Sequence, residues 1–245
     1  MSASNDIFAE GFRPEPYWWD HVPRDDGAGL PAEALPDSAD VVVIGSGYAG
    51  LHAAISLARI GSDVVLLEAG PLGLGASTRN GGMVSGGVNV GKHTSISGRH
   101  ADEMLAEAAE SYGWFEDFIR DENIDAVYQR CGRFVGAHCE AAWRRQAESL
   151  SRLNDIADSG ASMVPPEKTR DHVASDFYRG GMLLDRSGAV HPAKLHHGVL
   201  NVAAAAGVRM FGHMPAGRIT RSGGELSVET CLLYTSDAAD ERAWG

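Results

Sequence analysis

Residues 39–70 read ADVVVIGSGYAGLHAAISLARIGSDVVLLEAG. The β-branched run at 39–44 is typical of a strand that is buried on both faces. Apolar residues then recur at helical spacing over 51–58, and Gly61 is placed to end that helix. The run DVVLL at 63–67 predicts a second strand. The stretch therefore predicts a strand, a helix and a second strand, the β-α-β unit of a parallel sheet.

A G-x-G-x-x-G motif joins the first strand to the helix. Its members are Gly45, Ser46, Gly47, Tyr48, Ala49 and Gly50. In such a motif Gly45 permits the tight turn, Gly47 lets a pyrophosphate approach the backbone, and Gly50 lets the helix pack close to the strand. The helix N-terminus offers free N–H groups and partial positive charge to the phosphates. The motif predicts a dinucleotide-binding turn.

An acidic residue, Glu68, follows the second strand, with Ala69 beside it as a further candidate contact. A carboxylate at this position can accept hydrogen bonds from ribose hydroxyls, whereas it would repel the 2′-phosphate of NADP. A glycine-rich turn that binds no ligand would not need a strand, the glycine motif, a helix, a second strand and an acidic residue in this order. The motif leaves open whether the dinucleotide is FAD or NAD.

Composition narrows the class of protein. The 245 residues suit one large domain or two small ones, and the net charge of −12 argues against nucleic acid and anionic membranes as partners. We expect no signal peptide and no transmembrane helix. The three cysteines are odd in number and lack C-x-x-C spacing, which favours a reducing cytoplasm over a disulfide framework or a zinc site.

A second glycine-rich stretch, GLGASTRNGGMV at 73–84, follows the β-α-β unit. With it, the sequence resembles the D-amino-acid-oxidase-like family of FAD-dependent oxidoreductases, and most closely its γ-glutamylputrescine-oxidase-like branch. The resemblance is carried by Tyr-Trp-Trp at 17–19, VVVIGSGYAGL, Glu68 and GASTRNGGMV. Two departures are small: this branch usually has glycine where Ser46 and Thr78 stand.

The resemblance implies FAD as the cofactor, with a set of contacts beyond the first motif. These are Ser77, Arg79, Asn80, Gly81 and Gly82 in the second stretch, and the backbone of Ala216, where many family members carry a valine that meets the adenine. No metal site is expected. His191, His196 and His197 lack an accompanying carboxylate or cysteine, so we expect a structural role for His191 and solvent exposure for one of the other two.

The resemblance also implies the fold. We expect an α/β Rossmann-type FAD-binding domain, a glutathione-reductase-like doubly wound parallel sheet, with an inserted and incomplete α+β substrate domain. The expected boundaries are 1–36 for an amino-terminal surface segment, 37–94 and 191–230 for the FAD-binding domain, 95–190 for the substrate side, and 231–245 for a non-native tail. Helices are predicted over 101–122, 141–159 and 192–206, a third parallel strand over 208–211, and a hairpin around 223–224.

The function implied is oxidation of an amine or amino acid. Hydride would pass from the substrate's α-carbon to flavin N5, the resulting imine would be hydrolysed, and dioxygen or another acceptor would reoxidise the flavin. No residue is a convincing catalytic base, and the family's substrate contacts come largely from segments absent here. A NAD-dependent dehydrogenase and a non-catalytic truncated fragment remain as alternatives, and nothing in the sequence specifies the oligomeric state.

The last stretch of the chain departs from the family pattern. Residues 231–241, CLLYTSDAADE, resemble a translated transposon end of the kind used to prepare sequencing libraries. We therefore expect residues 231–245 to be non-native, and the preceding chain to be the amino-terminal half of a longer oxidoreductase that is inactive alone.

Overall fold

The computed structural model describes residues 9, 11–13, 15–22, 35–86 and 98–230. The expected non-native tail at 231–245 lies outside the described residues, as does most of the amino-terminal segment.

The described chain contains both strands and helices. The strands are β1 (Val41–Ile44), β2 (Val64–Leu67), β3 (Met83–Ser85), β4 (Arg133–Gly136), β5 (Ser162–Val164), β6 (Gly181–Leu184), β7 (Ser187–Ala189), β8 (Arg209–Phe211), β9 (Ala216–Ser222) and β10 (Glu225–Thr230). The α-helices are α1 (Tyr48–Arg59), α2 (Arg99–Asp121), α3 (Glu140–Ala157) and α4 (Pro192–Ala205). Short 3-10 helices lie at Tyr17–His21, Ala76–Thr78 and Pro166–Asp171.

The chain divides into two compact units. Of the described residues, the first unit contains those up to 79 and those from 196 onward, and the second contains those between 80 and 195. In the first unit a parallel sheet has the strand order β1-β2-β8, with Val43 opposite Leu66 and Leu66 opposite Met210. The parallel pairing of β1 with β2 across α1 confirms the predicted β-α-β unit, and β8 is the predicted third parallel strand.

The two predicted strands of the motif differ in burial. All four residues of β2 are buried, because β2 lies between two strands. The expectation that the first strand is buried on both faces is wrong for the described chain. Val42 and Ile44 of β1 are exposed, Ile44 by 52%, while Val43 faces α1. The physical reason is that β1 has one strand partner, β2, among the described residues and one face covered by a helix.

A small apolar cluster in the first unit includes the last residues of β2 and β8. Val65, Leu67, Phe211 and Met214 form this cluster, and Ala216 and Val228 pack against it from the antiparallel hairpin of β9 and β10. This hairpin is the one predicted around 223–224.

The second unit has α+β content, as the resemblance implies. An antiparallel sheet of order β4-β6-β5 packs with α2 and α3, and Leu105, Leu153 and Leu184 are buried between them. The aromatic face of α2 also belongs to the core, since Tyr112 is almost fully buried. A separate antiparallel pair, β3 with β7, completes this unit.

Among the residues that the structure describes, no helix is long and apolar enough to cross a membrane.

Candidate functional site

The turn at 45–50 has the geometry that its glycines predict. Gly45 adopts a φ of +101°, a left-handed conformation that side chains other than glycine rarely tolerate. A Cβ on Gly50 would stand 2.1 Å from the carbonyl oxygen of Gly45, so the first turn of α1 packs directly on the loop. Gly47 caps α1, and the first turn of that helix contains no acidic residue. The partial positive charge of the helix N-terminus is therefore not neutralised from within the helix.

Glu68 lies against this turn through Ser46. Its Oε2 accepts hydrogen bonds from the Ser46 backbone N–H and from the Ser46 hydroxyl, both at 2.8 Å. Its Oε1 accepts a longer bond, 3.2 Å, from the N–H of Gly70. The structure thus brings the acid at the end of β2 to the glycine motif 22 residues earlier, as the motif predicts.

The protonation of Glu68 follows from these bonds. Partial burial raises the pKa of the carboxyl group, but the bonds from Ser46 and from the backbone at 69–70 lower it more, and the net pKa is below its ordinary value. Glu68 is therefore ionised at neutral pH, the form that accepts hydrogen bonds from sugar hydroxyls.

Ser77 stands at the N-terminus of α1. Its Oγ accepts the Tyr48 backbone N–H at 3.2 Å, one of the N–H groups that a helix leaves without an intrahelical partner. A Cβ on Gly47 would lie 3.3 Å from the same Oγ. Ser77, predicted from the second glycine-rich stretch, is thus beside the first one.

Arg79 is held by its own loop and by the amino-terminal segment. Its Nε donates to the Leu74 carbonyl at 2.7 Å, and its guanidinium lies 5.2 Å from the centre of the Trp19 ring, a cation–π contact. Trp18 and Trp19 are half-buried whereas Tyr17 is exposed.

Asn80, Gly81 and Gly82 belong to the second unit. The Asn80 Oδ1 accepts the N–H of Gly82 at 2.8 Å, a local turn bond. Gly82 has a φ of +72°, and a Cβ there would stand 2.2 Å from the Val190 carbonyl oxygen. The glycine at 82 is therefore required by packing within its own unit, and its contact with a cofactor stays a prediction.

Two further predicted positions lie in the first unit. Ala69 is exposed directly after Glu68, and Ala216 opens β9 beside the apolar cluster at the ends of β2 and β8. Contacts of either residue with a dinucleotide stay predictions.

Sequence reasoning missed the role of His196. This residue is 2% exposed, and its Nε2 lies 2.7 Å from the Ser46 carbonyl oxygen. Its neighbour His197 is half-exposed, so one of the pair faces solvent as expected. The signal was present: His196 falls three residues after Ala193 and three before Val199, both buried, so it lies on the inward face of α4.

The described residues contain no cluster of histidine, cysteine or acidic side chains able to hold a metal ion. Cys131 and Cys139 are free thiols.

The residues present fit the adenosine pyrophosphate of a dinucleotide. A helix N-terminus without internal acid, a turn that only glycine can form, and an ionised carboxylate at the end of β2 supply the partners that phosphates and a ribose need.

A family model described as "DAO: FAD dependent oxidoreductase" matches residues 40–239. The chain therefore belongs to this family of FAD-dependent oxidoreductases. The motif alone left FAD and NAD open, and the family match assigns FAD. The match also confirms the resemblance inferred from the sequence.

Similar proteins come from several bacteria. A protein named "Probable oxidoreductase OrdL" from Rhizobium meliloti (strain 1021) is 33% identical over 207 residues, 82% of this chain and 48% of that protein. "Gamma-glutamylputrescine oxidoreductase" from Escherichia coli (strain K12) is 31% identical over 225 residues, 88% of this chain and 48% of that protein. The chain thus spans about half the length of these curated relatives.

Solved structures confirm the Rossmann-type fold. An L-amino acid deaminase from Proteus myxofaciens in complex with anthranilate has a TM-score of 0.69 at 23% identity, over 81% of this chain and 43% of that one. A glycine oxidase from Geobacillus kaustophilus has a TM-score of 0.68 at 18% identity, over 78% of this chain and 51% of that one.

Proposed function

We propose that the turn at 45–50 and Glu68 hold the adenosine pyrophosphate of FAD for an enzyme that oxidises an amine or amino acid. The observation that carries the proposal is the ionised Glu68 carboxylate, which is fixed to the same turn that presents the N-terminus of α1. Ser77, Arg79, Asn80, Gly81, Gly82 and Ala216 are proposed as further cofactor contacts.

Each proposed contact has a physical role. The N–H groups at the start of α1 donate to the pyrophosphate, and the helix dipole favours its negative charge. The ribose hydroxyls donate to Glu68, and we assign them to Oε1 because its bond from Gly70 is the longest of the three. Ser77 Oγ lies close enough to Gly47 to reach the same phosphates.

When bound at this turn by the N–H groups of α1 and by Glu68, FAD would supply the redox chemistry, which is hydride acceptance from the substrate's α-carbon. The substrate leaves as an imine, which water hydrolyses to a carbonyl compound and an amine or ammonia, and dioxygen or another acceptor takes the electrons. Because the relative from Escherichia coli is named for γ-glutamylputrescine, an amine of that kind is our first candidate substrate. The cytoplasmic location suggested by the cysteines stays a prediction.

Anaerobic substrate addition tests this function. The protein is expressed from the complete genomic reading frame that contains these residues, loaded with FAD and mixed with γ-glutamylputrescine, glycine or L-amino acids. Bleaching of the flavin band together with a carbonyl product from one of these amines would support the proposal. A flavin that no amine bleaches, in protein that retains FAD, would contradict it. The 245-residue chain, assayed alongside, is expected to cause no bleaching of the flavin band.

A further inference from the structure

His196 lies beneath the dinucleotide turn, on the inward face of α4. Its ring lies directly against Gly73, where a Cβ would stand 2.7 Å from Cε1, and 5.8 Å from the Tyr48 ring centre. Its Nε2 is 2.7 Å from the Ser46 carbonyl oxygen, across 150 residues of sequence. The buried side chain of His196 therefore contacts Ser46, the second residue of the glycine motif.

The chemistry of this contact fixes the tautomer. A carbonyl oxygen only accepts hydrogen bonds, so Nε2 carries the proton and donates. Burial lowers the pKa of His196; the bond to Ser46 and the charge of Glu68 raise it, and His197 lowers it, leaving a net pKa below the ordinary value. Among the described residues, the titratable groups that face the ring are Glu68, His197 and Tyr48. Burial raises the pKa of Tyr48. His196 is therefore neutral at physiological pH.

Ser46 is held at its other polar atoms as well. Its N–H and hydroxyl donate to Glu68, and its Oγ accepts the Gly73 N–H at 3.0 Å. Ser46 is 1% exposed. The bond from His196 to the carbonyl completes this set, so the N–H, the hydroxyl and the carbonyl of Ser46 all have hydrogen-bond partners.

The peptide group between Ser46 and Gly47 also contains the N–H of Gly47. In a planar trans peptide the C=O and the following N–H point in opposite directions. The Ser46 carbonyl points inward to His196, so the Gly47 N–H points outward, where Gly47 is exposed. We propose that His196 is a positioning residue that aims the Gly47 N–H at the pyrophosphate of FAD, an inference that rests on the proposed binding at this turn.

Ligand affinities of three variants test the proposal. His196→Leu removes the donor, His196→Gln retains an N–H of similar reach, and His197→Leu is a matched control at the next, half-exposed position of α4. Each protein is titrated with FAD, with ADP, which carries the pyrophosphate, and with adenosine, which carries none. Circular dichroism and thermal melting report whether each variant is folded.

We expect His196→Leu to weaken FAD and ADP about tenfold, the scale of one lost hydrogen bond, and to leave adenosine affinity unchanged. His196→Gln should retain most of the affinity for FAD and ADP. His197→Leu should bind both ligands as the parent chain does, that is, the chain without a substitution. Equal effects on ADP and adenosine, or none on either, would overturn the proposal and reduce His196 to a packing residue. If His196→Leu does not fold, His196→Gln decides: affinities for ADP near those of the parent support the proposal, and a loss equal for ADP and adenosine overturns it. Failure of the parent chain to bind FAD or ADP would instead overturn the proposed function.

Discussion

At the scale of single residues, the site has two buried hydroxyls, those of Ser46 and Thr78, at positions where the resemblance leads us to expect glycine. The Ser46 Oγ accepts the N–H of Gly73, and the Thr78 hydroxyl donates to the carbonyl of the same residue at 2.6 Å. Thr78 and Ser46 are both almost fully buried. The two hydroxyls thus meet at Gly73: Ser46 joins the second glycine-rich stretch to the first, and Thr78 closes the turn within the second.

Glu68→Ala tests the assignment of the ribose. Losing charge-assisted hydrogen bonds costs about 1.5–3 kcal/mol, so FAD affinity should fall roughly ten- to a hundredfold. Isothermal titration or flavin fluorescence measures the change. Glu225→Gln, an exposed change in the hairpin, is the control. FAD retention equal to that of the parent chain after Glu68→Ala would show that another group binds the ribose.

The buried His196 also makes a prediction about pH. Its pKa in the folded protein is below the ordinary 6.5, so the unfolded chain binds more protons as the pH falls below that value. The stabilisation is fully present above pH 6.5 and is lost as the pH falls towards the folded pKa. The slope that one group adds is at most about 1.4 kcal/mol per pH unit.

Urea unfolding at a series of pH values measures this slope. His52 on α1 also has a pKa lowered by burial, so the parent chain should lose stability from both histidines. In His196→Leu the unfolding free energy should fall less steeply between neutral and mildly acidic pH, because His196 no longer contributes and His52 still does. An identical slope in parent and variant would mean that His196 does not titrate with unfolding.

At the scale of secondary-structure elements, the close approach of α1 to its loop is the feature that a substitution can test. Gly50→Ala would place a Cβ 2.1 Å from the Gly45 carbonyl oxygen, which forces the helix away from the turn. Overpacking of this kind costs about 1–3 kcal/mol of unfolding free energy. FAD affinity should fall as well, because the N-terminus of α1 moves.

Gly75→Ala is the matched control for Gly50→Ala. Gly75 has a φ of −74°, and a Cβ there meets nothing within 4 Å. This change should be neutral or stabilise by about 0.4–1 kcal/mol, since alanine restricts the unfolded chain. Thermal melts of the two variants that agree within error would contradict the packing of α1 described above.

The elements of the β-α-β unit and the position of Glu68 beside the glycine motif could be predicted from the sequence because each depends on local spacing. The burial of β1 could not, because it depends on which elements cover each face of the sheet. His196 was missed for the same reason: its partner Ser46 lies 150 residues away, and only the folded chain brings them together. From the sequence alone, serine at position 46 is a small departure from glycine, yet the Ser46 hydroxyl forms hydrogen bonds with both Glu68 and Gly73.

At the scale of the whole molecule, the net charge of −12 acts on every anionic ligand. FAD carries a negatively charged pyrophosphate, so long-range repulsion opposes its approach while the N-terminus of α1 attracts it only at short range. Salt screens the long-range part first, with a Debye length of about 8 Å at physiological ionic strength. The association rate constant of FAD should therefore rise with ionic strength, as stopped-flow fluorescence would show. A steady fall with added salt would mean that local positive charge outweighs the net charge.

The binding of FAD at the turn of residues 45–50 is the central claim, and a titration with Gly47→Val tests it most directly. Gly47 and Gly75 both precede a helix with φ near −70°, so the backbone conformation of either accommodates valine. The side chain at 47 would crowd Ser77 Oγ, which lies 3.3 Å from a Cβ there, and would occupy the space proposed for the pyrophosphate. Flavin fluorescence should show saturable FAD binding by the parent chain and by Gly75→Val, and a loss of at least about tenfold in Gly47→Val with the fold retained. Equal FAD affinity in folded Gly47→Val, or no binding by the parent chain, would contradict the account.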